Sequence, residues 1–351
     1  MKTFNIIALI LCVNTISAQS IVNDPHWVQV WGDEFNDGAI DPVWNIGHYM
    51  RPGGKCITMN ENVGESNGNL IITTKSEPVY CPDLNIGFNY TAAGRCTHET
   101  WYPTQSGWAE TVGNIISFKY GYLEARIKFA HGSNYHNGFW TFYADGNTNI
   151  NAGEIDIVES THNVVNTNVH TCYTQIPLPN GTTTTDPSCY SGSYDLPVPL
   201  HTNAFHKFAV EWTPDTIRWY FDDSPYRVVT NHGIVDHVRI ILSGNLNSID
   251  DATLNAMPYS SEMLVDYVRA YELQQDCETV VNDCSFNFQA HMNNIAIKKS
   301  ITIGSNFGSC SNIQTPNSDI HLWATDFIDL KGDYQVPLGS ELTLTVENIC
   351  Y

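Results

Sequence analysis

The chain has 351 residues, 42% hydrophobic and 15% charged, enough to bury a sizeable core and too apolar to stay disordered over most of its length. Its 37 acidic and 16 basic residues leave a net charge of −21, which repels phosphate backbones and anionic membranes and argues against nucleic acid as a partner. It also disfavours a highly sulfated substrate. The polar remainder is rich in Asn, Thr, Ser and Gly, so a mostly β protein is expected.

The N-terminus, "MKTFNIIALILCVNTISAQS", has the build of a secretory signal peptide. Lys2 gives a positive start, Phe4 to Val13 an apolar run, and Ser17-Ala18 a small-residue cleavage site, so residues 1–18 are expected to be removed. The apolar run is too short to span a bilayer, and no other segment reads as a membrane span. The mature protein is therefore expected outside the cell or at its surface, without membrane insertion and as a monomer. Export makes disulfides plausible. Setting Cys12 aside leaves nine of ten cysteines, an odd number, so at least one thiol has no partner within the chain. Cys172 and Cys189 bracket a Thr/Pro/Gly-rich loop and form the first candidate pair; Cys81 with Cys96 and Cys310 with Cys350 follow. No C-x-x-C spacing points to zinc.

Short alternating runs follow one another along the chain: "NLIITTKS" (69–76), "YGYLEARIKFA" (120–130), "HKFAVEWT" (206–213), "TIRWYFDD" (216–223) and "MLVDYVRAYEL" (263–273). Each is bounded by Gly, Pro, Asn or Asp, as the strands of a β-sandwich are. Pro214-Asp215 reads as a tight hairpin between two of them. Residues 19–273 form one unit on this reading. Residues 274–283, "QQDCETVVND" within its flanks, read as a polar linker, and 284–351 as a small β-rich module that needs a disulfide for stability.

Between these runs lies "NAGEIDIVES" (151–160). In a regular strand Glu154 and Asp156 share a face and Glu159 points away. A solvated acidic strand would explain the pattern, yet Asp is a poor strand former and three like charges repel. A β-bulge at Ile157-Val158 resets the alternation and returns Glu159 to the face of the other two acids. The Glu154 and Glu159 Cα atoms then lie roughly 13 Å apart and the carboxyls, leaning together, ~5–6 Å, the spacing of a retaining glycosidase. Glu154 becomes the nucleophile, Glu159 the acid and then the base, and Asp156 the residue that orients Glu154 by sharing a proton. Repulsion within the cluster is expected to raise the pKa of at least one acid, as an acid catalyst requires.

This motif, "EIDIVE", resembles the bulged E-x-D-x-x-E signature of glycoside hydrolase family 16. "WGDEFNDGAIDPVWN" (31–45), "FKYGYLEARIKFAHGSNYHNGFWTF" (118–142), "FAVEWTPDTIRWYFDD" (208–223) and "MLVDYVRAYEL" resemble the family's other blocks, in the right order. The resemblance implies a β-jelly-roll sandwich with an open cleft across its concave face, carrying the three acids in the roles just derived. Three stretches depart from the family's β-1,3-glucanase pattern: "NTNINAGEID" lacks its Trp-Pro pair, "ILSGNLNSID" (241–250) replaces N-L-A-x-G-G, and "HNGFW" (136–140) replaces Pro-Ala-Phe-Trp. These leave the reaction intact and the polymer open. The C-terminal "ATDFIDLKGDYQVPLGSEL" resembles small terminal extensions of secreted Bacteroidetes proteins, which implies either a sorting role or a packing appendage.

Sugar rings stack on aromatics, and Trp140 is the first candidate platform, followed by Trp108, Trp101 and Tyr173; Trp212 and Trp219 read as core. His170, on the strand after the acids, is placed to bond a sugar hydroxyl. His131 and His136 flank a polar loop without an acid to complete a metal triad. No cofactor is required, and a structural calcium, though compatible with a secreted sandwich, has no motif of its own. The expected activity is retaining endo-hydrolysis of a β-linked polysaccharide, with β-1,3- or mixed-linked glucan ahead of a marine galactan such as agar, carrageenan or porphyran. A transglycosylase and a non-catalytic glycan binder are the rival classes.

Overall fold

A computed structural model describes residues 26–47, 56–81, 100–102, 104–130, 135–144, 153–161, 164–171, 175–177, 183–185, 189–196, 203–246, 260–283, 297–303, 316, 319–331 and 334–347. The signal-peptide reading (1–18), Cys172 and Tyr173 lie outside them, as does the side chain of Trp101, whose backbone belongs to the strand Thr100–Tyr102. Among the described residues the regular structure is β apart from one 3-10 turn, Asn60–Asn62.

Two sheets face each other. Seven strands form the first, in the order Ser191–Leu196, Val164–His170, Glu154–Thr161, Tyr135–Tyr143, Val238–Leu246, Trp108–Thr111 and Trp44–Ile46. The second has ten strands and runs Ser224–Thr230, Thr216–Phe221, His206–Trp212, Gly121–Lys128, Ser260–Leu273, Asn69–Lys75, Thr104–Ser106, Cys56–Thr58. Trp27–Asp33 joins it on Ser260–Leu273 and Val63–Ser66 on Asn69–Lys75. Period-two sequence builds the core between them: Leu70 and Ile72, and Leu123, Ala125 and Ile127 of the strand Gly121–Lys128, share one buried cluster with Ile240 and Leu242 of the first sheet. Each such aliphatic side chain removed from water stabilises the sandwich by roughly 1.5–3 kcal/mol. Trp212 and Trp219 are core residues, as expected.

The hairpins follow local chemistry. Thr213 Oγ1 accepts the N–H groups of Asp215 (3.3 Å) and Thr216 (2.9 Å), closing the tight turn at Pro214-Asp215. The next turn puts Asp222 and Asp223 at φ 44° and 67°, the doubly left-handed geometry of a two-residue hairpin.

Most of the segment read as a polar linker is a strand. Gln275–Asp283 continues from Ser260–Leu273 after a single residue and forms an edge strand of a further sheet, followed in order by Ile297–Ile303, Asp319–Leu330 and Glu341–Val346, all parallel. Gln274 fixes the junction: its N–H donates to the His26 carbonyl (2.7 Å) and its own carbonyl accepts from Ile297 (2.7 Å). Polar side chains hid a strand whose anchoring is main-chain pairing. This sheet covers the outer face of the ten-stranded sheet, where Ile297 and Trp323 pack with Trp27, Tyr122, Tyr220 and Tyr271. Cys189 and Cys277 are each half of a disulfide whose other half lies outside the described residues, and Cys56 is a buried free thiol.

Candidate active site

The acidic strand Glu154–Thr161 is bulged. Towards one neighbour Asp156 faces Asn168 and Glu159 faces Asn166, so Ile157 and Val158 together oppose the single residue Thr167. Towards the other, Trp140 faces Asp156 and Phe139 faces Val158, leaving Ile157 as the extra residue. Ile157 and Val158 both enter the core, at 1% and 0% exposure, and Glu159 returns to the face of Glu154 and Asp156.

The bulge interrupts the ladder, and buried carbonyls there need other donors. The second sheet supplies them. Trp219 Nε1 donates to the Asp156 carbonyl (3.0 Å), and Arg227 donates to the carbonyl (2.6 Å) and hydroxyl (2.7 Å) of Thr167 and to the Gly192 carbonyl (3.0 Å). Arg227 lies over the Trp219 ring, 4.3 Å from its centroid.

Directly paired residues share a face, so the register sets out the floor of the site. Ser191, His170 and Glu154 form one row; Ser193, Asn168, Asp156 and Trp140 the next; Asp195, Asn166, Glu159, Gly138 and Ser243 the third. A cavity of ≈ 230 Å³ opens over these rows, lined by the three acids, Trp108, Trp140, His136 and Ser243–Asn245, with Cys56 and Thr58 from the second sheet. At Gly244 the two sheets approach closely: an added Cβ would lie 2.1 Å from Ser106 Oγ.

The acids have distinct environments. Burial and the charges of Glu154 and Glu159 push Asp156 well above the carboxylate range, against the hydrogen bond from Asn168; a further hydrogen bond with Glu154 holds its proton. Burial pushes Glu159 up too, but the hydrogen bond and charge of His136 and the bond from Asn168 outweigh it and hold Glu159 below its usual value. His136 Nε2 lies 2.9 Å from Glu159 Oε1, and Asn168 Nδ2 donates to Oε2 (2.9 Å). The raised acid expected in the cluster is thus Asp156, and the free-state Glu159 is the more acidic because a histidine faces it. Asn168 also donates to Asn166 (2.6 Å), and Asn166 to Asp195, so a polar line crosses four strands.

His170 stands beside the acids, Nε2 3.7 Å from Asp156 Oδ2, with Nδ1 2.9 Å from Ser191 Oγ; burial pulls its pKa down against the charge of Glu159. Trp108 and Trp140 meet edge to face at 5.5 Å. Trp140 Nε1 donates to Ser243 Oγ (3.1 Å), and Trp108 Nε1 to the buried carboxylate of Glu110 (3.2 Å), which Asn45 and Arg239 also approach. Asn168 and Ser243 carry no sequence signal of their own, and His136 reads in sequence only as the flank of a polar loop with no acid near it: each becomes part of the site through cross-strand register. The only cue was the departure of "HNGFW" from the family pattern.

Glu154, Asp156 and His170 each place one potential ligand atom within 4.8 Å of the others. A cation there would compete with the proton that Asp156 shares with Glu154.

A two-sheet β-sandwich with this carboxylate row in an open groove defines an O-glycosyl hydrolase. The profile of glycosyl hydrolases family 16 matches residues 55–242, and the chain belongs to that family. It is 27% identical over 309 residues to the beta-glucanase of Rhodothermus marinus, covering 77% of this chain and 94% of that one. Among solved structures, the laminarinase catalytic domain of Thermotoga maritima superimposes with a TM-score of 0.53 at 25% identity, covering 70% of this chain and 98% of that one. The kappa-carrageenase of Pseudoalteromonas carrageenovora, in complex with an oligotetrasaccharide of kappa-carrageenan, does so with a TM-score of 0.52 at 25% identity, covering 70% and 94%.

Proposed function

We propose that the protein is a secreted, retaining endo-glycosidase that cleaves a β-1,3- or mixed-linked glucan by double displacement, without a cofactor. The observation that carries this reading is the bulge, which puts Glu154, Asp156 and Glu159 on one face of one strand within a single groove. Glu154 attacks the anomeric carbon while Glu159 protonates the departing oxygen; water then enters, Glu159 takes its proton, and Glu154 is released. Asp156 keeps its proton and donates to Glu154, orienting the nucleophile. Trp108 and Trp140 offer apolar ring faces, and the Ser, Asn and Asp side chains of the opposite strands offer bonding partners for hydroxyls. The likeness to proteins named beta-glucanase and laminarinase supports a glucan. The altered "HNGFW" and "ILSGN" blocks and the likeness to a kappa-carrageenase support a galactan as the second reading.

Reducing-end release by the mature protein on laminarin, lichenan, agarose, κ-carrageenan and porphyran separates the two. Hydrolysis of laminarin or lichenan is expected, with products of retained anomeric configuration by NMR. An inverted initial product would rule out double displacement, products longer than the substrate would indicate a transglycosylase, and silence from a folded protein would favour a binder.

A further inference from the structure

Glu159 has both carboxylate oxygens engaged before any substrate arrives. His136 Nε2 holds Oε1 at 2.9 Å and Asn168 Nδ2 holds Oε2 at 2.9 Å, and the His136 and Glu159 side chains are mostly shielded, at 18% and 22% exposure. Asn168 is neutral at every pH; His136 is the partner whose charge can change. It stands in His136-Asn137-Gly138-Phe139-Trp140, two residues along the strand from the Gly138 that faces Glu159. Among the described residues, the other titratable groups near Glu159 are Asp156 and Glu154 on its own strand and His170 on the next. Ser243 and Asn245, two strands away, are neutral, and Cys56 across the groove is a protonated thiol. The acids raise its proton affinity, so a histidine is needed to lower it.

We propose that His136 is the positioning residue that sets the protonation of Glu159, keeping this carboxylate ionised in the free enzyme and aimed into the groove. The inference rests on Glu159 being the acid/base residue for its consequence in turnover, but not for its own existence. With His136 present, Glu159 is lost as an acid at lower pH and gained as a base at lower pH. The enzyme therefore works best towards acid, where Glu159 still holds its proton. Removing the imidazole leaves burial and the neighbouring acids in control, so the proton stays on to higher pH.

The test is a titration of the Glu159 side-chain carboxyl by 13C NMR in the free protein, the resonance being assigned by its absence in Glu159→Gln. In the wild type the midpoint is expected below the ordinary glutamate value of about 4.3. In His136→Asn it is expected to rise by about one pH unit or more. His136→Gln, whose longer side chain carries an uncharged amide donor to the position of Nε2 where that of Asn falls short, should fall between the two, and near-UV circular dichroism of both variants checks the fold. On whichever glucan is cleaved, the basic limb of kcat/KM should move up in the same order. Coinciding midpoints in wild type and both variants would overturn the inference and leave His136 a structural residue. The titration uses no substrate, so the two readings fail separately. A silent polysaccharide panel with a His136-dependent midpoint removes the proposed reaction and keeps this inference, and cleavage with a His136-independent midpoint does the reverse.

Discussion

Trp219 reaches from one sheet of the sandwich to the other and donates its indole N–H to the backbone carbonyl of Asp156 at 3.0 Å. That carbonyl begins the bulge that returns Glu159 to the catalytic face. Trp219→Phe keeps the ring in the core and removes the donor, leaving a buried acceptor unsatisfied at a cost of about 1–3 kcal/mol. Urea denaturation should show that loss. Because the bulge sets the position of Glu159 relative to Glu154, kcat should fall while KM changes little; an unchanged kcat would mean that the bulge is held by other contacts.

Glu154→Gln should abolish hydrolysis without loss of stability, since the amide keeps the shape and removes the nucleophile. Substantial residual turnover in a preparation free of wild-type enzyme would sink the assignment of Glu154.

Asp156 makes a prediction about stability and pH. Burial and its two acidic neighbours raise its folded pKa, so the folded state binds the proton more tightly than the unfolded chain. Its contribution to stability is complete below the unfolded value of about 3.9 and is lost as pH rises through the raised folded value. Asp156→Asn imitates the protonated acid at every pH. Relative to wild type, the variant should therefore gain stability as pH rises above about 4 in a series of urea midpoints. Its activity should fall less than that of Glu154→Gln.

Cys56 lines the groove yet is 3% exposed, and burial pushes its thiol up to about 12. The thiol therefore keeps its proton at pH 8 and is a poor nucleophile there. Iodoacetamide should leave Cys56 unmodified in the native protein, as read by mass spectrometry of its peptide, and alkylate it after denaturation. Rapid native labelling would show that the strand Cys56–Thr58 opens.

What could be read from the sequence was local. Alternation located the strands around Leu70, Leu123 and Trp219, and the parity conflict in "EIDIVE" located the bulge, because a buried sheet tolerates a misplaced carboxylate poorly. What could not be read depended on partners distant in the chain. His136 and Glu159 meet only through the pairing of two strands, and Trp219 meets Asp156 only through the packing of two sheets. Gln275–Asp283 read as a linker because its polar residues occupy a sheet edge, where hydrogen bonding is done by the backbone and side-chain pattern carries little information.

The C-terminal sheet should matter for solubility. Ending the chain after Leu273 would expose Trp27, Tyr122, Tyr220 and Tyr271, which now pack with Ile297 and Trp323. A truncated protein should unfold at a lower temperature than the full chain or aggregate during expression. An equal melting temperature would mark the sheet as an independent appendage.

The same seam gives the molecule a front and a back. Tyr122 alternates with the core residues Leu123 and Ala125, so the seam lies on the outer face of one sheet, while the carboxylates open from the outer face of the other. Anything that grips the enzyme by its C-terminal strands holds it from behind. A chain thousands of sugars long could then lie across the groove with no part of the tether in its way, and an enzyme fixed to a surface would still present its cutting edge to the surroundings.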